Sequence, residues 1–292
     1  MKNKDYWVAY GFLAPWLVGL FVFSLFPIVA SLYLSFTSYD MLNPPVWGGL
    51  DNYRDIFTDK QFYQSLKVTL TYVLCGVPFE LAFALLLAIV LNHSLSKAVN
   101  VYRGIYYIPS LIGGSVSVAL LWRQIFGSEG LINDMLALLG VTGTSWIANP
   151  KTALITIIIL KVWQFGSPMV IFLAGLKQIP KEMYEAAAID GAGRRQSFFR
   201  VTLPLLSPVI LFNLIMQLIG SFQAFTPAYI ISGGSGGPVN STLFYTLYLY
   251  QQGFQNYQMG VASAMAWILL LLIATFSGAA FWTSRRWVHY ME

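Results

Sequence analysis

The chain has 292 residues, is 57% hydrophobic, 16% aromatic and only 10% charged, and carries a net charge of +5 and one cysteine, Cys75. Soluble domains carry about 25% charged residues, so this composition excludes a disordered chain, a disulfide framework and an ordinary soluble enzyme. Its mean hydropathy of +0.63 makes lipid the main solvent, and in such a chain a basic excess sets topology rather than binding nucleic acid.

A membrane-spanning helix needs about 20 mostly apolar residues. No Asp, Glu, Lys or Arg lies between Tyr6 and Tyr39, too long a stretch for the apolar core of a signal peptide, which runs to about 15 residues. The first span is therefore placed within 8–36, and five more follow at about 68–92, 105–126, 152–176, 208–231 and 259–283. Val201 to Ser284 is again free of formal charge, but its middle, Ser232-Gly233-Gly234-Ser235-Gly236-Gly237-Pro238, breaks any helix. The piece Leu243–Gly253 is too short to span and reads as interfacial, with Tyr245, Tyr248 and Tyr250 suited to the headgroup zone.

Loop charge supports six spans with both termini in the cytosol. Lys2, Lys4, Lys97, Arg103, Lys177, Lys181, Arg194, Arg195, Arg200, Arg285 and Arg286 then lie inside, and Arg54, Lys60, Lys67 and Lys151 outside. The expected class is an all-α membrane protein made of one domain, 1–292.

Much chemistry is missing. No Lys follows a Gly, so there is no phosphate-binding P-loop. His93 and His289 are the only histidines, with no Cys or second His at ligand spacing, which argues against a metal site and a hydrolytic triad. Glu80 of the second span and Lys161 of the fourth are ionisable residues inside spans, and Arg123 lies within or at the edge of the third. A buried carboxylate is what an ion-coupled carrier would use; the plainer readings are a Glu80 satisfied by a neighbouring helix and a Lys161 snorkelling to the interface.

The cytosolic loop 177–204 carries the strongest signal. Pro180 suits a first helical position, residues 181–189 are good helix formers with Glu182 and Glu185 early, and Asp190-Gly191 stops the helix. A second short helix follows, and Pro204 is expected to turn the chain into the fifth span. Ala186-Ala187-Ala188 offers a flat face that another protein's backbone can approach closely, with Glu185 at its edge to pair a basic group.

Glu185-Ala186-Ala187, then Gly191, Val201 and Leu203-Pro204 at the same spacing, resembles the signature of permease subunits of binding-protein-dependent ABC importers. Tyr102–Ser110, Phe172–Leu176 and Ala228–Thr242 resemble the maltose and glycerol-3-phosphate branch, although the glycine-rich outer loop is slightly longer here. The resemblance implies a type I importer permease fold and a pathway shared with a second, homologous permease in a heterodimer. It implies two cytosolic ATPase subunits that bind the ATP and magnesium, none being held by this chain, and an external solute-binding protein delivering a carbohydrate across a bacterial or archaeal cytoplasmic membrane. Tyr184, Glu185, Ala186, Ala187, Asp190 and Gly191 would form the coupling helix that docks on an ATPase.

A sugar path needs hydrogen-bonding groups and aromatic faces. Asn213, Gln217 and Ser221 recur at i, i+4 and i+8 and share one helix face, with Gln223 one turn on, while the fourth span offers Trp163, Gln164 and Ser167. Helix–helix packing explains each of these residues equally well; the resemblance favours Trp163, Gln164, Gln217 and Ser221. The same architecture also serves a polyol, a glycerophosphodiester or an acidic oligosaccharide.

Overall fold

The computed structural model describes residues 2–93 and 99–289, with side chains over 10–92 and 99–289. Of the residues invoked above, Lys97 and the side chains of Lys2, Lys4 and His93 lie outside the described residues.

In chain order, α1 (Lys2–Leu20) passes through a π-helical turn at Phe21–Leu25 into α2 (Phe26–Ser35). The hairpin β1 (Thr37–Ser38) and β2 (Val46–Trp47) leads to α3 (Asp51–Thr58) and the long α4 (Lys60–His93). Then come α5 (Val99–Ile112), α6 (Val116–Ile125), α7 (Leu131–Leu138), α8 (Ala153–Trp163), α9 (Gly166–Gln178) and α10 (Lys181–Ile189). α11 (Arg194–Ser197), a π-helical turn at Phe198–Thr202 and α12 (Leu203–Phe222) form one rod. α13 (Thr226–Ser232), α14 (Tyr245–Tyr250) and α15 (Met259–Ser284) complete the described chain.

Among the described residues, four helices are long and apolar enough to cross a membrane alone: Tyr10–Ser35, Lys60–Asn92, Arg194–Phe222 and Met259–Ser284. The pairs α5–α6 and α8–α9 reach that length only together, bent by 96° and 41°. Counting each pair as one span gives six, and the described residues are all-α apart from one short hairpin.

The two bends depart from the straight spans expected at 105–126 and 152–176. Gly113-Gly114 ends α5, and Ser115 opens α6 as an N-cap, its Oγ accepting the Val118 N–H at 3.3 Å. The second break falls at Gln164-Phe165, where the Gln164 N–H turns back to the Lys161 carbonyl at 3.0 Å. The two breaks meet each other. A β-carbon at Gly113 would overlap the Gln164 side chain, and one at Gly166 would overlap the Tyr106 carbonyl and Ser110 Oγ. Glycine at both positions lets α5 and α9 cross in contact.

The fifth span also differs from the expected 208–231. Its helix ends at Phe222, and the Ala224 carbonyl freed by the unwinding accepts the Thr246 hydroxyl at 2.5 Å. Pro204 does not turn the chain either. The π-helical turn widens the rod there, the Leu203 N–H reaching back to the Phe198 carbonyl, so the proline ring fits without a kink.

The segment 243–253 is not interfacial throughout. Leu243, Phe244, Tyr245, Leu247 and Tyr248 are buried, and the Tyr245 N–H donates to Thr69 Oγ1 at 2.8 Å. Aromatic bulk that suits a headgroup zone suits a protein core equally well.

The chain divides into two compact units. The first holds residues 1–60 and 249–270. In it Asn52 Nδ2 donates to the Ser35 and Thr37 carbonyls at 2.9 Å each, Ser35 Oγ pairs with the Tyr53 hydroxyl at 2.8 Å, and Gly260 lies against the Thr37 carbonyl. The second holds residues 61–248 and 271–292. Its core joins Val73, Val77, Ala84 and Ala88 of α4 with Ile157 and Leu160 of α8, Met169, Phe172 and Leu173 of α9, and Leu206 and Phe222 of α12. Gly175 brings α9 close to Leu206 and Val209 of α12.

Candidate functional site

Two groups of residues in the second unit concentrate polar chemistry. The first is inside the spans. Glu80 of α4 and Lys161 of α8 form an ion pair at 2.8 Å, with side chains 2% and 11% exposed. Lys161 Nζ also donates to Gln217 Oε1 of α12 at 2.8 Å. One ammonium thus ties three helices together in a region almost devoid of charge. A charge inside a membrane is costly unless it is paired, and here each charge neutralises the other. Lys161 is therefore held by partners within the spans and does not snorkel to the interface, contrary to expectation. Gly76 of α4 packs beside the Lys161 stem, where a β-carbon would make ordinary contact at 3.6 Å from Cγ. The cue for the pairing is in the chain itself: two opposite charges in otherwise apolar spans.

The stripe on α12 is divided by its surroundings. Asn213 is 1% exposed and its Nδ2 has no hydrogen-bond partner. Gln217 is half-buried and meets Lys161. Ser221 is buried, but its hydroxyl donates to the Gln217 carbonyl of its own helix at 2.5 Å. Gln223 lies past the helix end and is exposed.

On the fourth span, Trp163 is half-buried with its ring centroid 5.7 Å from that of Trp122, whose Nε1 donates to the Thr156 carbonyl at 2.9 Å. Gln164 sits in the break against Gly113. Ser167 opens α9, its backbone N–H donating to Ser110 Oγ at 2.7 Å. The structure thus brings Lys161 and Gln217 together, and it gives Trp163, Gln164 and Ser167 separate neighbours on α5 and α6.

The second group is the loop 177–204. Residues Lys181–Ile189 are helical, as their propensities predict, and none of them is buried. Pro180 stands one position earlier than expected, as the N-cap. At the other end the Ala192 N–H bonds to the Ala187 carbonyl at 2.9 Å and the Gly191 N–H to the Ala188 carbonyl at 3.0 Å. This is a Schellman cap, and it requires the left-handed φ of +78° that Gly191 adopts. Glu185, Ala186, Ala188 and Asp190 are exposed, Ala187 is half-buried, and Ile189 is 87% exposed. Ile189 and the alanines beside it thus present an exposed apolar surface rather than part of the folded core. Tyr184 turns inward, its hydroxyl 3.1 Å from Thr202 Oγ1, a contact that spacing alone did not reveal.

The family of binding-protein-dependent transport system inner membrane components matches residues 64–289. The "Probable ABC transporter permease protein YesP" of Bacillus subtilis (strain 168) is 53% identical over 290 residues, 99% of this chain and 94% of that protein. The lactose transport system permease protein LacF of Rhizobium radiobacter is 33% identical over 279 residues, 94% of this chain and 93% of that protein. A bacterial alginate ABC transporter, solved in complex with an alginate pentasaccharide-bound periplasmic protein, shares the fold with a TM-score of 0.83 at 24% identity, covering 98% of this chain and 96% of that chain. The chain belongs to the family of inner membrane components of binding-protein-dependent transport systems. It is a multi-pass ABC importer permease subunit of the type I fold, and ATP hydrolysis in such importers belongs to a separate subunit.

Proposed function

We propose that this chain is the transmembrane subunit of an ATP-driven importer that takes a carbohydrate, foremost an oligosaccharide, from an external solute-binding protein into the cytosol. Six spans, 8–36, 68–92, 105–126, 152–176, 208–231 and 259–283, with the breaks described above, leave both termini and the loop 177–204 in the cytosol. The observation that carries the reading is the exposed, Schellman-capped helix α10, connected through Tyr184 to the rod that bears Asn213 and Gln217. Tyr184, Glu185, Ala186, Ala187, Asp190 and Gly191 dock on an ATPase subunit, and closure of the ATPase pair moves the permease cores in alternating access. A second, homologous permease completes the path.

Trp163, Gln164, Ser167, Asn213, Gln217, Ser221 and Gln223 are assigned to the solute path, with Asn213 and Gln217 its strongest members because their amide groups keep free donors. The lactose-named relative supports a carbohydrate. An acidic oligosaccharide is the second reading, favoured by the fold shared with the alginate importer. The ion-coupled carrier loses its support, because Glu80 is held by Lys161.

The test is uptake by cells carrying the whole importer. Glu185→Lys and Gly191→Pro each abolish uptake while the chain still reaches the membrane; uptake unaffected by both sinks the coupling assignment. Ligand-induced thermal shift of the cognate binding protein, over neutral and uronic oligosaccharides, decides the solute.

A further inference from the structure

The Lys161 ammonium holds three hydrogens and no acceptor. Gln217 therefore has to meet it with its carbonyl, and Oε1 is the atom at 2.8 Å. The amide NH2 of Gln217 is turned the other way, and no described residue accepts from it. One helical turn earlier, the buried Nδ2 of Asn213 also lacks a partner. Two amide donor groups, i and i+4 on the same face, are thus left unused by the fold. Only the Asn213 group is buried, and native proteins pair a buried polar group with something; the half-buried Gln217 lies beside it on the same face.

The ion pair itself needs an explanation. A buried salt bridge confers little stability over apolar residues of the same size. Holding α4 against α8 does not require two charges, since both helices already bury Val73, Val77, Ile157 and Leu160 in the same core.

We infer that Glu80 and Lys161 are positioning residues: Glu80 anchors Lys161, and Lys161 fixes the amide of Gln217 so that its donors, with those of Asn213, face an oxygen-rich solute. The acceptor oxygens are hydroxyl, ring or carboxylate oxygens. Only the identity of the solute rests on the carbohydrate reading above; the geometry of the positioning stands apart from it.

A plain structural staple makes a different prediction, and two variants separate the two roles. Gln217→Glu gives Lys161 a better acceptor but removes the free NH2 group. The exchange Glu80→Lys with Lys161→Glu rebuilds the ion pair but shows Gln217 a carboxylate, which draws its NH2 inward. The assembled importer, with its second permease, ATPase pair and binding protein, is assayed for uptake of lactose, arabinotriose, maltotriose and an alginate trisaccharide. Gln217→Glu, Glu80→Gln and the exchanged pair are each expected to raise the half-saturation concentration about tenfold, the scale of one lost hydrogen bond at a polar site. Thermal unfolding of the exchanged pair stays near the parent, and Gln217→Glu, which sets two carboxylates against one ammonium, is compared per assembled importer. Wild-type half-saturation in Gln217→Glu, or full rescue by the exchange, overturns the inference. A cryo-EM map of the assembled wild-type importer supplies the arm that needs no solute. A Gln217 amide lying against Lys161 supports the positioning and one turned away overturns it, even if none of the four sugars is taken up and the carbohydrate reading falls.

Discussion

Tyr184 and Thr202 meet through their hydroxyls at 3.1 Å, tying α10 to the π-helical turn at the foot of the α12 rod. Thr202 is buried and Tyr184 half-buried on a helix whose other side chains mostly face out. Tyr184→Phe keeps the ring and removes one hydrogen bond, about 1 kcal/mol. Amide exchange in Lys181–Ile189 is expected to quicken about fivefold, read by hydrogen–deuterium exchange mass spectrometry. Unchanged exchange would mean that the tie contributes nothing.

Gly191 separates backbone strain from crowding. Its φ is +78° and nothing lies within 4 Å of an added β-carbon, so a substitution suffers only from the left-handed conformation. Alanine there costs about 1 kcal/mol, asparagine less and a β-branched residue more. Uptake per membrane-inserted chain is expected to fall in the order Gly, Asn, Ala, Val. A valine variant as active as the parent would show that the cap does not matter to transport.

Gly113, Gly114 and Gly166 form an internally controlled set. β-Carbons at Gly113 and Gly166 would overlap Gln164, Tyr106 and Ser110, whereas at Gly114 nothing lies within 4 Å. Gly113→Ala and Gly166→Ala are expected to destabilise by about 1–3 kcal/mol, the range of overpacking, and Gly114→Ala by less. Thermal unfolding of the purified complex ranks the three. Equal midpoints would mean that α5 and α9 do not cross in contact.

Asn133 organises the turn around α7. Its Nδ2 lies within 3.0 Å of the Gly127, Ser128 and Thr144 carbonyls, and its Oδ1 accepts from Trp146 Nε1 at 2.9 Å. Asn133→Ala leaves a Trp donor and several carbonyls short of partners, a loss of about 2–4 kcal/mol. Protease accessibility of 127–146 should rise, with a red shift of Trp146 emission measured in a chain whose other tryptophans are replaced. Asn133→Asp is expected to behave almost as badly, since a carboxylate cannot donate to carbonyls. Parent-like protease resistance in both variants would remove Asn133 from this role.

What was legible in the chain follows the range of the interaction. Apolar runs marked the helices, because a span is defined by its own composition. The stop at Asp190-Gly191 was legible too, since a cap is a local device. The bends at 113–115 and 164–165 were not, because each depends on the other: Gln164 fills the space that Gly113 leaves open. Burial of Tyr245 and Tyr248 was missed for a similar reason, a tyrosine carrying the same pattern whether lipid headgroups or Thr69 and Phe62 surround it. The partnership of Glu80 with Lys161 crosses 81 residues of chain, and neither residue alone reports the other. The polar stripe on α12 was visible as a period of four, but only the structure separates Ser221, bonded to its own helix, from Asn213, left open.

The rod from Arg194 to Phe222 runs 29 residues without a loop. At about 1.5 Å per residue, Gln217 stands roughly 28 Å up the axis from Phe198. A tilt of about 10° at the foot would then swing Gln217 sideways by about 5 Å on that rise per residue, close to the width of one sugar ring. Tyr184 meets the rod at Thr202, inside the π-helical turn, and Lys161 meets it at Gln217, so the two contacts stand about 22 Å apart on one continuous helix at that rise per residue.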